Sequence, residues 1–188
     1  TNPGFLYQQN TIRDALVAGI TLNIFNKHCD RVKMANLAQM VNVLQSVILT
    51  EGPKMIKTPT YHVFHMYRHH QGATLLNSTL TGVGETGIGE WKVPEVTESV
   101  SEDAEHIITV TLNNLSADEE KEIEIVIAGD EHIYSVKEAK VVSAEMHAHN
   151  TFDAPELVEE EELTAYKKCA DGIKIMLPPC SVVELRLQ

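Results

Sequence analysis

Two chain grammars meet near Gly72, and the meeting restricts this chain to a composite of α/β and antiparallel β structure. Upstream, Asn10-Thr11-Ile12-Arg13-Asp14 reads as a helix start. Thr11 can cap it, and Asp14 three residues later sets a carboxylate near the positive end. Ile12, Ala15, Leu16, Gly19, Ile20, Ile24 and Phe25 follow at helical spacing, with Lys27 and His28 at the opposite pole. After a brief connection at Asp30, residues 32–37 have the length and content of a strand, and helix followed by strand is the order of a parallel barrel. Residues 41–49 are apolar, and their periodicity leaves strand and helix both open. Glu51-Gly52-Pro53 breaks the chain. Thr58-Pro59-Thr60 then predicts a second helix, capped by Thr58, with Pro59 in its first turn, running to about Arg68 and stopped by Gln71-Gly72.

Downstream the period changes. Gly82, Gly84, Gly87 and Gly89 punctuate a loop-rich stretch. Residues 106–112 are rich in β-formers and precede an Asn113-Asn114 turn. Ile123, Ile125 and Ile127 alternate with Glu122, Glu124 and Val126, which makes one face apolar and the other mostly wet. Residues 136–142, 172–177 and 181–187 are further strand candidates, with Asp171-Gly172 as a hairpin turn. Seven or so short strands predict an antiparallel sandwich. Charge steps at the same place: residues 1–72 hold seven Lys and Arg against three acids, net +4, and residues 73–188 hold eight against 24, net −16. The expected fold class is therefore α+β, divided into residues 1–72 and 73–188.

The acidic surface disfavours nucleic acid and anionic membranes and is compatible with a neutral substrate. No apolar run approaches the roughly 20 residues that span a bilayer. Three cysteines, Cys29, Cys169 and Cys180, make no even framework, which fits a reducing compartment such as the cytoplasm. Secreted or periplasmic placement stays open, since the chain opens at Thr1 without an initiator Met. Cys169 and Cys180 could pair if their strands were neighbours.

A parallel barrel carries its site at the C-terminal ends of its strands. Ala38, Gln39 and Asn42 lie at or just past that end of residues 32–37, and Gln39 offers both a donor and an acceptor to a hydroxyl. Taken alone, a turn-satisfying surface amide is the better expectation for such a residue. His62, His65, His69 and His70 share one predicted helix, and the first three have spacings that can ligate a metal. With no further ligand in frame, a solvated helix face is preferred and no metal or cofactor is expected. The pair His147 and His149 is assigned to a loop, and Glu159-Glu160-Glu161-Glu162 to a solvated acidic surface, because the spaced ligands of a calcium loop are absent. Cys29 beside His28 is not a dyad by adjacency, and a buried, inert thiol is expected. Gly82-Val83-Gly84-Glu85-Thr86-Gly87 matches G-x-G-x-x-G without the strand and helix that would make it a phosphate cradle.

Three segments carry a family resemblance. They are Gly-Phe-Leu-Tyr-Gln-Gln-Asn-Thr-Ile-Arg-Asp-Ala-Leu-Val-Ala-Gly from Gly4, Asn-Lys-His-Cys-Asp-Arg-Val-Lys-Met-Ala-Asn-Leu-Ala-Gln-Met-Val-Asn-Val-Leu-Gln from Asn26, and Thr-Pro-Thr-Tyr-His-Val-Phe-His-Met-Tyr from Thr58. They closely resemble the last part of the catalytic barrel of α-L-arabinofuranosidases of glycoside hydrolase family 51. His149-Asn150-Thr151-Phe152-Asp153-Ala154-Pro155 and Leu177-Pro178-Pro179-Cys180-Ser181-Val182-Val183 resemble that family's C-terminal domain. The resemblance implies the last helix, strand and helix of a (β/α)8 barrel (helix 7, strand 8, helix 8) followed by a jelly-roll-like β-sandwich.

It also implies that Gln39 hydrogen-bonds an arabinofuranosyl ring, that Asn42 supports it, and that Tyr7, Gln8 and Gln9 lie on the loop from the nucleophile strand. The implied partners are an arabinofuranosyl carbohydrate and an upstream barrel portion, in a homo-oligomeric parent. Retaining cleavage needs a proton donor and a nucleophilic carboxylate roughly 5–5.5 Å apart. The family draws these from an Asn-Glu pair and from an Asp-Glu-Trp motif, and neither occurs here. Trp91, the one Trp, lies in Gly-Glu-Trp-Lys-Val, and Glu51, the one Glu before residue 73, sits at a Gly-Pro turn. The chain by itself is therefore expected to be inactive and to expose an unpaired sheet edge and apolar helix faces. The alternatives are a non-catalytic carbohydrate-binding or structural β-module, which one Trp and 5% aromatic residues disfavour, and a subunit completed by a separate N-terminal chain.

Overall fold

The structure, a computed structural model, describes residues 10–129, 134–170 and 172–188. Its elements in chain order are α1 (Ile12–Lys27), the hairpin β1 (Ile48–Glu51) and β2 (Lys54–Lys57), and α2 (Pro59–Tyr67), which tightens into a 3-10 turn at Arg68–His70. There follow β3 (Thr74–Leu75), β4 (Glu85–Ile88), β5 (Trp91–Pro94), β6 (Val96–Glu102), β7 (Ile108–Asn114), β8 (Lys121–Ile125), β9 (Val136–Ser143), β10 (Glu161–Glu162), β11 (Tyr166–Lys168), β12 (Ile173–Leu177) and β13 (Ser181–Leu187).

Both helices start as their sequences predict. The Asp14 carboxylate accepts the Thr11 N–H at 2.8 Å, and the Thr58 hydroxyl accepts the Tyr61 N–H at 3.4 Å with Pro59 in the first turn. An antiparallel sheet in the order β10-β9-β13-β7-β6-β3 faces a second sheet, β11-β12-β8. Val96, Val110, Leu112, Val141, Val183 and Leu185 of the first sheet meet Ile173, Ile175 and Leu177 of the second. Each such buried side chain contributes roughly 1.5–3 kcal/mol. The edges of the large sheet are two residues long, at β3 and β10, and the longer edge β8 presents Lys121, Glu122 and Glu124, which discourages strand addition.

The helices cover the other face of the large sheet. Ile12, Leu16, Val63 and Met66 pack on Leu115, Val142 and Val182 at one end. Further along, the interface is polar. The Asn23 carboxamide oxygen accepts from Tyr67 (2.8 Å), Ser99 (2.9 Å) and Thr111 (2.9 Å), and Asn113 donates to the Tyr67 oxygen at 3.1 Å. Helix and sheet approach so closely that a Cβ on Gly19 would lie 2.2 Å from the Asn113 side-chain oxygen.

Several elements depart from the sequence expectation. Residues 32–37 form no strand, because among the described residues no neighbour is placed to pair with them. Asn113 and Asn114 are fully buried strand residues rather than a turn. The glycine-rich stretch folds into the β4–β5 hairpin, turned at Gly89 with φ +61°. Strand β6 was not legible at all, because the residues it aims at the helices are Thr97, Ser99 and Ser101. All three cysteines are free: the Cys169 thiol faces Glu124 at 3.3 Å, Cys180 faces the Ala117 carbonyl, and Cys29 is exposed rather than buried. Val17, Ile24, Met34 and Met40 are exposed along α1 and the segment after it.

Candidate functional site

Gln39 closes the segment that leaves α1. Its side chain is exposed and makes no hydrogen bond among the described residues, so both its donor and its acceptor are available. Residues 40–48 directly after it close into a ring. The Met40 carbonyl accepts the N–H groups of Val47 and Ile48, both at 3.1 Å, and the Asn42 N–H donates to the Ile48 carbonyl at 3.1 Å. Asn42 adopts φ +61°, a left-handed conformation that Asn tolerates better than most residues. Its carboxamide oxygen accepts the Thr50 N–H at 2.7 Å, and its amide donates to the Thr50 hydroxyl at 2.8 Å. Asn42 is thus committed on both sides to holding the ring, which leaves Gln39 as the free polar group.

The ring is tied to both helices. The Thr58 N–H donates to the Val47 carbonyl and the Thr58 hydroxyl to the Ser46 carbonyl, each at 3.0 Å. Gln45 donates to the Asp14 carboxylate at 3.1 Å. Sequence reasoning missed this last contact, which joins residues 31 positions apart without a local signal. Tyr7, Gln8 and Gln9 lie outside the described residues. Glu51 is an exposed residue of β1 whose partner across the hairpin turn is Lys54, not a second carboxylate. A cleft of about 490 Å³ between the two helices is lined by Phe25, Cys29, Val32, Phe64, Tyr67 and His70, and neither Gln39 nor Asn42 lines it.

Of the four histidines of α2 and the 3-10 turn after it, only His65 is exposed, and all four meet polar partners rather than forming a solvated face. His62 is buried and, with His65, donates to Glu160, at 3.3 Å and 2.7 Å. Burial acts to raise the Glu160 pKa, but the hydrogen bonds and the electrostatic attraction of the two histidines together hold the carboxylate below its ordinary value. His69 meets the buried Glu184 of β13 at 2.5 Å. His70 lies within 2.7 Å of the Ser101 hydroxyl and 3.1 Å of the Thr111 hydroxyl. Burial, with a smaller push from His69, lowers His70 to about 4. Helix α2 and the 3-10 turn after it therefore use their histidines for docking on Glu160, Glu184, Ser101 and Thr111. Among the described residues no three His, Cys, Asp or Glu side chains are arranged to hold a metal ion. Glu160 of the acidic run is a structural partner, not merely a solvated charge.

Residues 1–181 match the α-L-arabinofuranosidase C-terminal domain family. The chain belongs to that family. Over all 188 residues it is 40% identical to a protein of Bacteroides ovatus named intracellular exo-α-L-arabinofuranosidase, of which it covers 36%. It is 30% identical, over 83% of its own length, to 24% of an intracellular exo-α-(1->5)-L-arabinofuranosidase of Streptomyces lividans. Its whole length superposes with a TM-score of 0.91 on 38% of the crystal structure of the family 51 arabinofuranosidase from Xanthomonas axonopodis pv. citri, at 39% identity. The chain thus spans between 24% and 38% of the length of these relatives. As an α-L-arabinofuranosidase C-terminal domain it carries the 40–48 ring beside Gln39 and the two-sheet domain.

Proposed function

We propose that this chain is the C-terminal part of a retaining glycosidase that removes terminal non-reducing α-L-arabinofuranosyl residues from polysaccharides and oligosaccharides. The identity to the Bacteroides ovatus protein, which runs the full length of the chain and not only its β-region, carries this assignment. Residues 1–72 are the terminal portion of a (β/α)8 barrel, in which residues 32–37 pair as the last inner strand once neighbouring barrel strands are present, and residues 73–188 are a jelly-roll-like sandwich. Exposure of Val17, Ile24, Met34 and Met40 supports this, since these are the faces a barrel would cover. Gln39 contacts the pentose ring through its free amide, and Asn42 fixes the backbone beside it. The catalytic acid and nucleophile come from upstream residues. The protein acts inside the cell, as the names of the Bacteroides and Streptomyces proteins suggest, and assembles as a homo-oligomer, an expectation from the family resemblance alone.

The test compares the 188-residue chain with the full-length enzyme on an aryl α-L-arabinofuranoside. The full-length enzyme should release the aryl group with retention at the anomeric carbon, and the chain alone should release none. Turnover by the chain alone, or no turnover by the full-length enzyme, would refute the assignment.

A further inference from the structure

We propose that Gln45 and Asp14 are positioning residues for Gln39, and through it for the bound pentose; the proposal rests on the role given to Gln39 above. Gln39 immediately precedes Met40, whose carbonyl closes the 40–48 ring onto Val47 and Ile48. Wherever the ring goes, the Gln39 backbone follows. Asn42 ties the ring to Thr50 of the adjoining hairpin strand β1, but these bonds do not place it relative to the helices. Two anchors do that: Thr58 at the cap of α2, and the Gln45–Asp14 bond. Among the described residues the latter is the one hydrogen bond that runs from the ring to α1.

The Asp14 end of this bond is fixed for a separate reason. One oxygen of its carboxylate accepts both the Thr11 N–H at 2.8 Å and the Thr11 hydroxyl at 3.0 Å, which closes the first turn of α1. The other oxygen accepts from Gln45. The side chain is nearly fully buried. It cannot swing toward or away from the ring without giving up the helix cap, so Gln45 meets an acceptor held in one place. Asp14 thereby couples the first turn of α1 to the ring that Gln39 precedes. A sugar contacted by Gln39 would have that contact set by this bond.

The coupling is testable on the chain alone. In Gln45→Ala, amide exchange at Val47 and Ile48 should become faster while exchange within α2 stays unchanged; unchanged exchange at Val47 and Ile48 would overturn the proposal. Function is read in the full-length enzyme by steady-state kinetics on an aryl α-L-arabinofuranoside. Loss of the Gln45 hydrogen bond to Asp14 should raise KM about tenfold in Gln45→Ala, with kcat changed less than about twofold, as expected for a residue that positions a binding contact. Gln45→Glu sets two carboxylates face to face and should raise KM at least as far. The double variant D14N/Q45E reverses donor and acceptor, keeps an oxygen for the Thr11 N–H, and should return KM to within about threefold of the wild type.

A lowered thermal midpoint in Gln45→Ala with wild-type KM would mean a structural role only and overturn the proposal. So would a double variant no better than Gln45→Glu. Gln39→Ala serves as the control: if it leaves KM unchanged, the role of Gln39 falls and the proposal with it. If Gln39→Ala raises KM and Gln45→Ala does not, only the positioning role falls.

Discussion

Replacing Glu184 with Gln should flatten the alkaline side of the stability profile. Glu184 lies on the helix-facing side of β13 with its side chain only 2% exposed, 2.5 Å from the His69 Nδ1. Burial, and then the Glu138 carboxylate, push its pKa up to about 8 against the attraction of Arg68 and Arg186. Burial and the same two arginines hold His69 down to about 4. At neutral pH both groups are therefore uncharged, and the Glu184 O–H donates to the imidazole nitrogen.

An unfolded Glu titrates near 4.3. Between that value and about 8 the folded chain keeps a proton the unfolded chain has released, so this contribution to stability is full below about pH 4 and is lost as pH rises through 8. His69 and His70 have the opposite sign. Their contribution is full above about pH 6.5 and is lost as pH falls toward 4. Between pH 6.5 and 8 the two histidines contribute equally to the wild type and to a Glu184 variant, so the difference between the two proteins reports Glu184. The proton that Glu184 takes up on folding falls from nearly one at pH 6.5 to about half at pH 8, which amounts to about 1.5 kcal/mol over the interval. Gln keeps a donor for His69 and carries no charge at any pH. Urea unfolding followed by circular dichroism at pH 6.5 and pH 8 should show the wild type losing about 1.5 kcal/mol more than Glu184→Gln over the interval. Equal losses would mean that Glu184 is already ionised against a charged His69, and the neutral pair would be wrong.

Two further perturbations test how the layers are joined. Gly19→Ala places a methyl 2.2 Å from the Asn113 oxygen, so it should destabilise by about 1–3 kcal/mol in urea unfolding despite a better helix propensity; a stabilised variant would contradict the close approach. Asn150→Ala removes three hydrogen bonds, two to the Lys57 and Val158 carbonyls and one from the Val158 N–H, and should cost about 2–3 kcal/mol in the same assay; a loss under about 0.5 kcal/mol would show that the bolt between β2 and the 150–158 loop is dispensable.

The sequence disclosed what rests on local chemistry. Thr11 with Asp14, and Thr58 with Pro59, announced both helices, and strand β13 announced itself because Val183, Leu185 and Leu187 alternate into one core. It hid what rests on contacts across the chain. Strand β6 lacks an apolar face toward the helices because Thr97, Ser99 and Ser101 satisfy Asn23, Asn26 and His70 there. The α2 histidines looked like a solvated face because their partners, Glu160 and Glu184, lie 95 or more residues away. Residues 32–37 have strand composition, but a strand is a hydrogen-bonded pair, and composition cannot supply the neighbour. At the candidate site, Gln39 and Asn42 came from the family resemblance, and the Asn42 clamp on Thr50 follows from a left-handed Asn. The Gln45–Asp14 tie appears only once the ring has closed.

The role of Gln39 is tested most directly by the structure of the full-length enzyme with L-arabinose bound. The Gln39 side-chain amide should lie within about 3.2 Å of a ring hydroxyl. A sugar seated between the catalytic carboxylates while Gln39 still faces bulk water would contradict the assignment.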